Sequence, residues 1–192
     1  MLTGLAERLS SRERRSLPSG SRAAVLVPVI DDGGPLRLIF TRRTEETPTH
    51  KGQVAFPGGG LSTPDESLIA AALREAHEEI GLEPALVDVL GLLDDIPTVT
   101  GTTVVTPVVG RLIRTPTLLA SPEEVARIFE VPVSALREPE RWTVKHVTRG
   151  EQSWPIFFFP WDGEMLWGLS ALVTMQFLTL TPGGAPLELP RF

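Results

Sequence analysis

The 192-residue chain contains no cysteine. Disulfides and thiolate metal sites are therefore excluded, and with them a secreted design that depends on disulfide staples, although the compartment stays open. Long apolar runs are missing too: Ala23–Ile30 (AAVLVPVI) stops far short of the roughly 20 residues a membrane span needs. Positive charge is in deficit, with 18 Lys and Arg against 24 Asp and Glu, a formal net charge of -6. That balance speaks against nucleic acid or an anionic membrane as a partner, while leaving room for a local basic site that meets a phosphate. The opening MLTGLAERLSSRERRSLPSG lacks the continuous apolar core of a signal peptide, and the closing ELPRF is no retention or peroxisomal signal. A soluble cytoplasmic protein is the resulting expectation. What the chain does have is 42% hydrophobic residues, enough at this length for a sizeable core. The expected organisation is a helical leader over residues 1–20 and a single domain over residues 21–192.

In the leader, Leu2, Leu5 and Leu9 recur at helical spacing, while Arg8, Arg12, Arg14 and Arg15 make it basic. Charge runs are usually solvated, so the leucines are expected to pack on the domain with the arginines in water. The alternative is a phosphate-facing arm. Strand-like runs follow at 22–30 and 36–43, joined by an Asp-Gly-Gly turn that signals a hairpin. Residues 44–52 are polar and predict a loop, QVAF a short strand, and PGGGLST a glycine-rich turn. Thr63 with Glu66 forms a capping box, Pro64 suits a first helical position, and Gly81 suits a left-handed cap, which together predict a helix over 64–80. Further strands are predicted over 87–96 and 102–113, and a short helix from Ser121 and Pro122 within 121–131. Residues 140–149 and 153–159 predict a β-pair, and the apolar run 169–180 a closing helix. Phe157, Phe158 and Phe159, with Trp154, Trp161 and Trp167, are expected to fill core, with a partner for a stacked base as the sharper reading. Strands and helices mix without a strict βαβ rhythm, which points to an α/β (mixed α+β) fold with a mixed sheet and helices packed on it.

The predicted helix at 64–80 concentrates Glu75, Glu78 and Glu79 near Arg74. At about 100° per residue the three glutamates share an arc of roughly 100°, away from the Leu73, Ala76 and Ile80 arc that suits the core. Like charges so spaced repel, so something should neutralise them. Water on a solvated acidic face would do so. So would a cation, because carboxylate oxygens are the hard ligands that Mg²⁺ and Mn²⁺ prefer.

The spacing decides between these. Gly60, five residues, Glu66, seven residues, Arg74-Glu75, two residues, Glu78-Glu79, one residue, Gly81-Leu82 matches all eight fixed positions of a 23-residue motif. The chain thus resembles a Nudix hydrolase, with Ala76 standing where that family usually places a bulkier aliphatic. The resemblance implies a Nudix fold, a mixed β-sheet sandwiched between helices, and metal-dependent hydrolysis of a diphosphate linked to another moiety. It implies Glu75, Glu78 and Glu79 as ligands of Mg²⁺ or Mn²⁺, Arg74 as the group that orients a glutamate, and Gly59 and Gly60 as points of close backbone approach. The general base is a glutamate of the motif or, outside it, Glu124 or its neighbour Glu123. For that pair a helix-dipole role is the competing explanation. Dimers are frequent in the family, so a monomer or a homodimer is implied.

The flanks narrow the substrate. Thr41, Arg43, Thr44 (for serine), Gly52, Phe56, Pro57, Gly58 and Gly59 resemble the coenzyme A diphosphatase branch, and the likeness runs over roughly residues 22–175. Pro48 stands where that branch has an arginine; Lys51 or His50 could compensate. The implied substrate is CoA or acyl-CoA, cleaved to 3′,5′-ADP and 4′-phosphopantetheine or its acylated form. The 3′-phosphate calls for a basic contact, for which Arg42, Arg43, Lys51 and Lys145 are candidates, Arg43 first. His77 is expected to be exposed and His146 to be a strand residue without a catalytic role. Other readings are a Nudix enzyme acting on ADP-ribose or a dinucleotide, a non-catalytic ligand sensor, and a purely structural acidic domain.

Overall fold

Two valine-rich runs of ten residues form the centre of the main sheet. β1 (Ser21–Ile30) and β7 (Thr103–Leu112) lie parallel, in register from Ser21 beside Thr103 to Ile30 beside Leu112. Both faces of this pair are covered over most of its length, which is why it reads as a near-continuous apolar run and not an alternating one. The structure, a computed structural model, describes residues 2, 4–18, 20–46, 50–62, 67–149 and 152–188.

β2 (Arg37–Arg43) returns through the predicted turn but pairs with β1 only at Val29–Leu38 and Ile30–Arg37. It continues instead between β3 (Val54–Ala55) and β8 (Val125–Pro132). The first half of β1 is taken by β4 (Gly58–Gly60), antiparallel to Ala23–Val25. β5 (Asp88–Leu92) and β6 (Ile96–Pro97) close the far side of β7. A second antiparallel sheet joins β9 (Thr143–Arg149), β10 (Gln152–Trp161) and β11 (Glu164–Trp167).

The main sheet has a core on each face. On one, Ala24, Leu26, Ile30, Ile39, Val108 and Leu112 pack under the helix α2 (Leu68–Ile80). On the other, Val27, Val29, Phe40, Val109 and Phe129 meet α1 (Leu5–Ser11), α4 (Gly168–Leu180) and the inner face of the smaller sheet. Between β8 and β9 the chain makes a short α-helix, α3 (Val133–Leu136), and a 3₁₀ turn at Pro139–Arg141. The result is the expected mixed sheet between helices. Among the described residues no helix is long and apolar enough to cross a membrane.

Several expectations need correction. The 121–131 segment is not a helix: Glu124 and Val125 both donate to Ser121 O, which gives a single turn, and β8 then pairs along β2. Its Val, Ile and Phe content favours a pleated, half-buried strand over the helix its Ser-Pro start suggests. The three glycines of PGGG form β4, not a turn, because strand β1 needs a partner into which no side chain intrudes. Gly58 shows the constraint, since a Cβ there would lie 2.4 Å from Ala24 O. The aromatic run does not fill core uniformly: Phe157 and Phe159 are buried, while strand alternation turns Phe158 outward to stack on Trp167, centroids 6.0 Å apart.

The leader behaves differently from either expectation. Leu2, Leu5 and Leu9 are buried as predicted and Arg15 is exposed, but the other three arginines bond to the domain. Arg8 donates to Leu180 O, Arg12 pairs with Asp94, and Arg14 pairs with the buried Asp95 at 2.6 Å. Asp95 also accepts from Thr106 Oγ1 at 2.6 Å and from the Leu17 N–H at 2.9 Å.

Candidate active site

α2 carries four of the singled-out side chains: Arg74, Glu75, Glu78 and Glu79. Ser67 caps it, in extended backbone, its Oγ accepting from the Ala70 N–H at 3.0 Å. The helix therefore starts at Leu68, later than position 64. The predicted capping box of Thr63 and Glu66, with Pro64, lies outside the described residues. At the other end Gly81 adopts φ 65°, its N–H reaching His77 O while Leu82 N–H reaches Ala76 O, the glycine-dependent cap that was expected.

Ala71, Ala72 and Ala76 are fully buried, and these small side chains bring α2 close to the sheet. That closeness changes the position of the acidic arc. Glu78 faces solvent, Glu75 is half-buried, and Glu79 is only 3% exposed. The expectation of an acidic face turned away from the densest packing is thus corrected at one position: the arc straddles the helix–sheet boundary, and Glu79, three positions after Ala76 and next to Ile80, falls on the inner side.

Each carboxylate has a defined neighbour. Arg74 Nη1 donates to Glu75 Oε1 and to Glu78 Oε2, both at 2.9 Å, while Nη2 donates to Gly60 O at 3.1 Å, tying helix to β4. Glu79 Oε1 receives Arg43 Nη1 at 3.4 Å, and Oε2 receives the Gly58 N–H at 3.3 Å. Burial pushes the Glu79 carboxyl up to about 7; Arg43 and the Gly58 N–H oppose this, and the charges of Glu124 and Glu75 add to it. Burial likewise raises Glu75, against its bonds from Arg74 and with the charges of Glu78 and Glu124 adding. Glu124, on the turn before β8, therefore acts on the same spot as Glu75 and Glu79, although it lies more than forty positions further along the chain.

Arg43 reaches Glu79 from the last position of β2, beside a register shift. Arg42 lies opposite Arg127 but Arg43 lies opposite Val125, so Ala126 is the extra residue of a bulge. Bulges re-aim side chains beside functional sites. Arg42 points to the other side of the sheet, toward Glu164 of β11 at 3.5 Å. Lys145 sits on the smaller sheet over the Phe158 ring, 5.2 Å from its centroid, remote from α2. Lys51 is exposed on the turn that leads to β3, and no described contact ties it to the carboxylates. His77 is exposed as expected, and His146 lies on β9. Gly58 is a donor the sequence flags only as part of the matched segment; its N–H matters through its bond to Glu79.

As the side chains lie, no three of the described acidic or histidine groups converge on one ion. Arg74 and Arg43 hold the oxygens instead. The donor set still fits a hard divalent cation, being carboxylate oxygens on one helix, those of Glu75 and Glu79 against a backbone with no intervening side chain. The fit is tightest at Gly59, where a Cβ would stand 2.5 Å from the Glu75 carboxyl carbon. Gly59→Ala is accordingly expected to leave the urea unfolding midpoint near wild type while lowering hydrolysis about a hundredfold, because Glu75 must move aside. An unchanged rate would show that Glu75 needs no such clearance.

A family model described as the NUDIX domain matches residues 20–150. The chain is 41% identical over 165 residues to the Nudix hydrolase NudL of Citrobacter koseri, covering 86% of this chain and 84% of that one. It is 38% identical over 178 residues to NudL of Enterobacter sp. (strain 638), covering 93% and 91%. Among solved structures it resembles a MutT/nudix family protein from Enterococcus faecalis, with a TM-score of 0.50 and 14% identity over 87% of this chain and 58% of that one, a likeness of fold alone. The motif on α2, its loop and the relatives agree: this chain belongs to the Nudix hydrolase family.

Proposed function

We propose that the chain hydrolyses the diphosphate of coenzyme A or an acyl-CoA, giving 3′,5′-ADP and 4′-phosphopantetheine or its acylated form. The observation that carries the reading is the seating of Glu75 and Glu79 against the Gly58–Gly59 backbone, with Arg43 delivered from the segment that resembles the CoA diphosphatase branch. Glu75, Glu78 and Glu79 would hold Mg²⁺ or Mn²⁺. When bound, such an ion screens the diphosphate and lowers the pKa of water. Arg74 keeps Glu75 and Glu78 oriented through its two bonds. Glu124 takes the proton of the attacking water, a role for which it is better placed than Glu123 because its charge acts on both Glu75 and Glu79. Arg43 and Lys51 meet phosphate oxygens, and Gly59 and Gly60 let the backbone come close.

Pro48, standing where the CoA branch has an arginine, favours a second reading: a Nudix pyrophosphatase acting on ADP-ribose or another nucleoside diphosphate derivative. Hydrolysis of CoA and of ADP-ribose, each with Mg²⁺ and with Mn²⁺, separates the two. The expected result is a kcat/KM at least about tenfold higher for CoA. A preference for ADP-ribose would replace the first reading with the second. Product analysis in ¹⁸O-labelled water then reports which phosphorus is attacked.

A further inference from the structure

The turn that carries Glu124 is held from two sides. On one, the Ser121 N–H donates to Glu79 O at 2.8 Å, anchoring the turn to the end of α2, and Ser121 O accepts from the Glu124 and Val125 N–H groups at 3.1 and 2.8 Å. On the other stands Thr44, the first residue after β2. Its N–H donates to Glu124 O at 3.0 Å, and its Oγ1 donates to Glu123 O at 3.0 Å. Those two carbonyls belong to the peptide planes on either side of the Glu124 Cα. With both planes fixed, the backbone dihedrals at Glu124 are fixed, and so is the direction in which its side chain leaves the chain. Arg43, the neighbour of Thr44, contacts Glu79, so Arg43, Glu79 and Glu124 are linked by a series of hydrogen bonds that closes through the peptide bond between Arg43 and Thr44.

We infer that Thr44 is a positioning residue, whose hydroxyl aims the Glu124 carboxylate at the site formed by Glu75 and Glu79. The inference rests on the reading of Glu124 as the proton acceptor. It goes beyond that reading by naming what holds the acceptor in place. Thr44 touches no reacting atom in this scheme. Its side chain acts through the Glu123 carbonyl, and its backbone N–H keeps the second bond whatever the side chain is. A hydroxyl is therefore the group to remove, and valine removes it while keeping the shape.

The test uses the full chain and three variants: Thr44→Val, Thr44→Ser and Glu124→Gln. Amide hydrogen exchange followed by NMR gives the first readout, independent of any substrate. In Thr44→Val the Glu124 and Val125 amides are expected to exchange about tenfold faster, while β1 and β7 amides keep their wild-type protection, and Thr44→Ser restores the turn. Unchanged exchange at Glu124 and Val125 overturns the inference. Hydrolysis of CoA, or of ADP-ribose if that is the better substrate, gives the second readout. Thr44→Val is expected to lower kcat about tenfold with KM held within about twofold, and Thr44→Ser to recover kcat. Full kcat in Thr44→Val beside an inactive Glu124→Gln overturns the role of Thr44 alone. Full rate in Glu124→Gln removes the proton-acceptor reading, and the role given to Thr44 falls with it.

Discussion

Glu79→Gln is expected to lose hydrolysis by at least about a thousandfold and yet to be more stable than the wild type above neutral pH. Both halves follow from its burial. The carboxyl is 3% exposed, and its pKa is pushed from 4.5 to about 7, desolvation outweighing Arg43 and the Gly58 N–H. A folded pKa above the unfolded one means stability that is fully present below about pH 4.5 and lost as pH rises through 7. The loss amounts to about 3 kcal/mol at most by the conversion of pKa shift to free energy. The substituted amide carries no charge to desolvate, and its oxygen can still accept from the Gly58 N–H. Its NH₂ group then faces Arg43, whose bond to Glu79 is long at 3.4 Å and whose side chain keeps 22% exposure to water. Urea unfolding in EDTA should therefore give nearly equal midpoints for the two proteins near pH 4.5 and a higher midpoint for the variant at pH 8. A variant that is less stable at pH 8, or one that hydrolyses at the wild-type rate with saturating Mg²⁺, contradicts the assignment of Glu79 as a group kept charged for function at a cost in stability.

Asp95→Asn is expected to destabilise the protein by about 3 kcal/mol, the scale for breaking a buried ion pair. Burial works against the charge on Asp95, but bonds from Thr106, the Leu17 N–H and Arg14 outweigh it and hold the carboxyl below its ordinary value. Asparagine turns an NH₂ group toward those donors and leaves at least one of them unmet. The sign with pH is opposite to that of Glu79. A depressed folded pKa gives stability that is present above the unfolded value of about 3.9 and lost as pH falls through the folded one. The gap between wild type and variant should stay constant from pH 5 to 8 and shrink below about pH 4. Trypsin offers a local check, since cleavage after Arg14 or Arg15 should accelerate as the leader comes away from Asp94 and Asp95. Equal urea midpoints at pH 7 would show that the Arg14–Asp95 pair is dispensable.

The contrast between these two acids shows what the sequence could and could not disclose. Glu79 was legible as a candidate because motif spacing is a local property, and helix periodicity placed it with Glu75 and Glu78. Periodicity alone does not locate the boundary between sheet and solvent, so the burial of Glu79 was not legible. Asp95 gave no signal at all: its partners Arg14, Leu17 and Thr106 come from distant parts of the chain, and only the fold brings them together. Arg43 was legible as a candidate from the matched segment, but its contact with Glu79, 36 positions along the chain, was not. Strands β1, β7 and β10 and helix α4 were readable because their apolar runs are long. The turn at Ser121 misleads because Ser-Pro-Glu-Glu is equally good at opening a helix and at closing one turn, and the choice is made by the pairing of β8 with β2.

The parallel pairing of β1 with β7 joins residues about eighty positions apart in the chain. Such contacts form late and slowly, because a long stretch of chain must be ordered before any reward is gained. During synthesis α2 leaves the ribosome before β7 exists, with only β1, β2, β3 and β4 to lean on. A nascent chain halted ahead of Thr103 would therefore hold its acidic helix over half a floor, and the centre would be complete only once β7 and, after it, the turn that carries Glu124 have been made.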